Sequence, residues 1–179
     1  GEPMVAVSQY TGGADTIWIY NTSDPKNKSS WTKPVKELGP ANGTITNVRG
    51  MAAAGNYLYM VGYDSAQVCV CDMTDNYKVV STYMNTADSK TWHGEAIVSY
   101  KGDVYALFTT TSNAWDPSSV YGKSMLVKFA KGDTTLTPEK TLSLNCTNVD
   151  GGGVHGAVQL DGSTLYIASI GGYQHYDGT

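Results

Sequence analysis

Apolar and polar residues alternate at two-residue spacing through most of the chain, as in "DTIWIYN" (15–21), "NYLYMV" (56–61) and "DVYALF" (103–108). No stretch of a dozen residues keeps a 3.6-residue apolar period without glycine or turn residues breaking it, so the pattern predicts short strands joined by turns. The strands recur in a fixed order. Glycine-led strand starts align as "RGMAAAGN" (49–56), "HGEAIVSYKGD" (93–103) and "HGAVQLDGS" (155–163). A strand with a central tyrosine follows each: Tyr59, Tyr105 and Tyr166, spaced by 46 and 61 residues. A third strand comes next in "DTIWIYN", "AQVCVCD" (66–72) and "SMLVKFA" (124–130), then a polar turn, then a fourth strand in "WTKPVKEL" (31–38), "YKVVSTYM" (77–84) and "KTLSL" (140–144).

Four antiparallel strands repeated at about 45 to 60 residues are the signature of β-propeller blades. The expected fold is all-β, a single partial propeller domain over 1–179, with blades at about 3–39 (partial), 46–84, 92–144 and 153–179 (partial). "LDGSTLYIAS" (160–169) resembles the hairpin between the first two strands of a YncE-like blade, and "GGYQHYDG" (171–178) resembles the kelch glycine pair. The chain thus resembles bacterial-type repeats of the YncE-like, NHL or kelch kind, which implies a fold and carries no catalytic signature onto matched positions. A ring closes with about four to eight blades, whereas roughly three and a half are read here, so an open arc is expected. Its completion would come from the remaining blades of the same protein, a second chain, or a second copy.

Composition narrows the function classes. The formal net charge is −4 with Lys and Arg scattered, so no basic patch addresses nucleic acid. No run of about 18 apolar residues predicts a membrane span. The opening "GEPMVAV" turns strand-like at once, so no signal peptide is read there and the leading Gly is expected to be a processing or tag remnant. Cys69, Cys71 and Cys146 make an odd count without a C-x-x-C pair. Buried free thiols are expected, with a disulfide from Cys146 to one of the others as the alternative. The 13 Tyr against 2 Phe favour rings with a polar tip, suited to wet binding faces. N-x-[ST] sequons start at Asn21, Asn27, Asn42 and Asn145.

The candidate chemistry lies at the strand starts. Arg49, His93 and His155 each precede the repeat glycine, which is expected to let the backbone turn tightly into a channel-lining strand. Glu95 stands two residues beyond His93, making His93, Glu95 and His155 the catalytic candidates. In a propeller the loops between second and third strands share that face. They add Tyr10, Tyr63, Tyr173 and His175, and the long loop 109–123 adds Trp115, Asp116 and Tyr121. Three functions compete: an extracellular or periplasmic, non-enzymatic module binding carbohydrate, peptide or protein; a lactonase- or lyase-like enzyme using the axial histidines; and a structural piece completed by another chain. No metal site is expected, because arginine in the set is a poor metal ligand. No cofactor is indicated.

Overall fold

The computed structural model describes residues 4–8, 15–24, 26–64, 66–87, 92–109, 124–144, 157–161 and 164–168. Thirteen strands run through these in order. The first sheet holds β1 (Met4–Ser8), β2 (Ile17–Asn21) and β3 (Lys36–Leu38). A second holds β4 (Val48–Ala54), β5 (Tyr57–Gly62), β6 (Gln67–Asp72) and β7 (Lys78–Met84). A third holds β8 (His93–Tyr100), β9 (Asp103–Thr109), β10 (Ser124–Phe129) and β11 (Pro138–Leu144), and β12 (Ala157–Asp161) pairs with β13 (Thr164–Ala168). All pairs are antiparallel between sequence neighbours, no described sheet closes on itself, and short 3-10 turns are the only helical elements among the described residues. None of these is long and apolar enough to cross a membrane.

Alternation decides how the sheets stack. Tyr59 and Val61 of β5 and Val68 and Val70 of β6 enter one core with Val104, Ala106, Phe108, Val127 and Phe129 of the third sheet. The intervening Leu58, Met60, Cys69 and Cys71 enter another core with Ile17, Ile19 and Leu38 of the first. Both faces of β5 and β6 are therefore buried, and their sequences read as continuous apolar runs. By contrast β7 alternates exposed and half-buried positions, as an outer strand does.

The hairpins repeat residue for residue. Ala54 pairs Tyr57 across Gly55-Asn56, and Tyr100 pairs Asp103 across Lys101-Gly102. The turns before the fourth strands repeat as well. The Asn21 side chain accepts the Ser23 amide, Asp72 accepts the amide and hydroxyl of Thr74, and Asp133 accepts the amide and hydroxyl of Thr135. This Asx-turn chemistry accounts for an Asn-x-Ser/Thr pattern without invoking glycosylation. Asn27 likewise accepts from Ser29, and Asn42 caps the Gly39 amide, so three of the sequon asparagines hold turns.

Adjacent sheets are tied by side chains that reach main-chain carbonyls. Ser8 donates to the Val48 carbonyl at 3.2 Å, Ser99 to Ala53 at 2.7 Å, Tyr59 to Asp133 at 3.1 Å and Ser81 to Thr134 at 2.7 Å. β8 lies against β4 and β5, and β12 against β8. Cys69 and Cys71 are buried free thiols; Cys146 lies outside the described residues.

Candidate functional site at the strand starts

The pairing registers relocate the repeat. Counting back from the aligned hairpins, Val48 opposes Gly62 and Gly50 opposes Val61, so Arg49 is the extra residue of a β-bulge. In β8, Gly94 opposes Phe108 and Ala96 opposes Leu107, so there the extra residue is Glu95. Arg49 and Glu95 thus hold the same place in consecutive sheets, and His93 is the counterpart of Asn47. The Arg-Gly and His-Gly pairs that look equivalent in sequence are offset by two residues. The bulge also interrupts the simple alternation that would set His93 and Glu95 on one face.

The repeat glycines also differ from expectation in their reason. Neither Gly50 nor Gly94 has a left-handed backbone; both sit where two sheets approach closely. A Cβ on Gly94 would stand 2.4 Å from the Gly62 carbonyl oxygen and 2.5 Å from Val61 Cγ2, and one on Gly50 would stand 3.1 Å from the Ile97 amide nitrogen. Clearance, and not a tight turn, selects glycine here.

Three of the residues singled out from the sequence meet at this end of the sheets. Tyr63, just beyond β5, stacks on the His93 ring at 4.4 Å between centroids and 20° between planes. The Arg49 guanidinium carbon lies 4.5 Å from the Tyr63 ring centre, within cation–π range. His93 Nδ1 is 3.2 Å from the Tyr63 carbonyl oxygen. Because a carbonyl only accepts, Nδ1 carries the proton, and in neutral imidazole Nε2 then presents a lone pair. Nε2 is buried and has no hydrogen-bond partner among the described residues.

His93 retains 9% exposure and Glu95 1%, so a carboxyl group and an imidazole are both withdrawn from solvent at the start of one strand. The corresponding strand start one sheet earlier is tied differently. Asn47, the counterpart of His93, takes its amide to Asp15 Oδ1 at 2.7 Å and its side-chain amide to Asp64 Oδ1 at 3.0 Å. The Asn47 side chain thus holds a loop of its own sheet and its main chain meets the preceding one, whereas the His93 side chain itself reaches the preceding sheet at Tyr63.

His155, Trp115, Asp116, Tyr121, Tyr173, His175 and Tyr10 lie outside the described residues. No group of three or more His, Cys, Asp or Glu with metal-binding geometry occurs among the described residues. The bulge positions and Asn47 were missed in the sequence, although the 46-residue spacing of Tyr59 and Tyr105 carries Arg49 onto Glu95. No family model and no curated protein matches the chain.

Proposed function

We propose that the chain forms an arc of a β-propeller-type repeat protein of the YncE-like, NHL or kelch kind, and that it serves as a non-enzymatic extracellular or periplasmic binding module. The ligand class is a carbohydrate or peptide, taken at the end of the sheets where β4 and β8 begin. The observation that carries this is the gathering of Arg49 and His93 on the phenol ring of Tyr63, with the buried Glu95 on the same strand as His93. The guanidinium, the phenol hydroxyl and the imidazole are hydrogen-bonding groups of the kind polar ligands need. The repeated meander of three- and four-stranded sheets supports the blade reading.

Glycan and peptide arrays probed with the full chain test the proposal. Binding to one ligand class is expected, and Arg49→Ala combined with His93→Phe should abolish it; His93→Phe keeps a ring against Tyr63 but loses the nitrogens. Retention of binding by the double variant would overturn the site. The competing enzyme reading is favoured by one observation, the lone pair at His93 Nε2. Lactone hydrolysis by the wild type that disappears in His93→Phe would replace binding with catalysis.

A further inference from the structure

The chain has six methionines and three cysteines, and five of these nine sulfurs meet at one core. The strand registers explain how. Cys69 and Cys71 stand two residues apart on β6, so both point to the face packed against the first sheet, and Met73, two residues further on, follows them. Across the sheet, Met51 of β4 is paired with Met60 of β5, and Met60 with Cys69. Such paired residues share a face, with Cβ atoms about 5 Å apart. The two thiols are in hydrogen-bond contact, and Met60, Cys69 and Cys71 are each 0% exposed.

The segment before β4 crosses this face. A Cβ on Gly43 would stand 3.6 Å from Val79 Cγ2, and Val79 is paired with Cys71. The Ile45 main chain hydrogen-bonds the Cys69 sulfur, and a Cβ on Gly62 would stand 2.7 Å from the Thr46 carbonyl oxygen. The dithiol thus lies under a main-chain strap. A cavity of about 190 Å³, walled in part by Met4, Met51 and Met73, reaches Leu58, the residue paired with Cys71. A small cation has there a thioether-lined approach to the thiols.

We propose that Cys69 and Cys71, with the Met60 thioether beside Cys69, form a binding site for one soft monovalent cation of the Cu(I) or Ag(I) class. Geometry favours this over a disulfide. Same-face neighbours on a strand hold their Cβ atoms about 6.6 Å apart, whereas a disulfide draws them to about 3.8 Å. Two metal–sulfur bonds of about 2.3 Å each bridge a gap that one S–S bond cannot. Ligand type selects the ion. Thiolate and thioether are soft donors that suit Cu(I), while zinc takes four ligands, and no group of three His, Cys, Asp or Glu occurs among the described residues. On binding, one S–H bond breaks, one S–metal bond forms and the proton leaves to solvent. A single positive charge replaces another, so the apolar core stays uncharged. The inference uses none of Arg49, Tyr63 or His93, so its failure leaves the proposed ligand site untouched.

The probe is Cu(I), kept reduced by ascorbate without oxygen and offered to the full chain in competition with a chromogenic Cu(I) chelator. One Cu(I) per chain should be withheld from the chelator, and Cys146→Ser should withhold it equally. Met60→Leu conserves volume and leaves the fold intact, and should weaken retention about tenfold or more. Cys69→Ala combined with Cys71→Ala should abolish it. X-ray absorption of the copper-loaded Cys146→Ser chain should show sulfur ligands alone, a readout that does not depend on the core variants folding. Failure of the wild type to withhold copper, its loss in Cys146→Ser, or nitrogen or oxygen ligation overturns the proposal. Retention by the double variant does so too, since the metal would then sit elsewhere. Unchanged retention in Met60→Leu overturns the thioether's part in the site.

Discussion

Gly94 and Gly55 separate two uses of glycine that look alike in the sequence. At Gly94 a methyl group meets a main-chain oxygen and a buried valine, and a sheet must move; at Gly55 the backbone is left-handed, with φ +61°, and a methyl group meets nothing. Gly94→Ala should therefore destabilise by about 3 kcal/mol, and Gly55→Ala by about 1 kcal/mol. Urea unfolding of both variants measures this, and equal losses would sink the clearance argument. Burial also governs Cys69, whose thiol is pushed up by its contact with the Cys71 thiol and by desolvation. With both thiols fully enclosed, at most one of the three cysteines should react with Ellman's reagent in the native protein, and all three in denaturant.

Asp133 gives a pH signature at the same scale. Burial alone would raise its carboxyl, but hydrogen bonds from Thr135 and from the Thr137 and Leu136 amides outweigh it and hold the group below its ordinary value. A lowered folded value means stability that is present above the unfolded carboxylate range, near pH 4, and lost as pH falls through the folded value. Asp103 is lowered as well, chiefly by its hydrogen bond from Lys128 at 2.8 Å. Urea midpoints measured from pH 6 down to pH 2 should decline, and Asp133→Asn should flatten the decline while lowering the plateau by about 1 kcal/mol. A variant with an unchanged acid limb would contradict the assignment.

Among the elements, strands and their order were legible because alternation and turn chemistry are local. "YLYMVG" and "QVCVCD" announce themselves as strands with two covered faces, and the structure places a core on each side. Bulges are not legible that way. One extra residue in β4 and one in β8 leave the apolar pattern readable on either side, and the shared Gly after Arg49 and after His93 invited an alignment that the ladders correct. Partners across sheets, such as Tyr63 and His93 thirty positions apart, depend on stacking that no local pattern encodes. Hydrogen exchange should rank the elements accordingly: β5 and β6 slowest, β7 and β3 markedly faster. Fast exchange in β6 would mean the double coverage is wrong.

For the whole molecule, the sequence conveyed an all-β chain of repeated antiparallel sheets, and that is the architecture observed. The way one sheet's face differs from its counterparts was harder to read. Lys128 occupies the place of Ile19 and Val70, and it is held by Asp103 and Glu139 at 2.8 and 2.7 Å on a cleft of about 330 Å³ with Leu126 and Leu142. The stacking thus changes from an apolar to a mixed surface as it passes the third sheet.

The middle sheet belongs to two cores at once, and this has a mechanical consequence. Leu58 and Tyr59 are neighbours in the chain yet support different interfaces, so a displacement of β5 by one partner sheet is delivered to the other through a backbone only one strand thick. The second sheet is a party wall between two rooms. A repair or a crack on either side is felt on both.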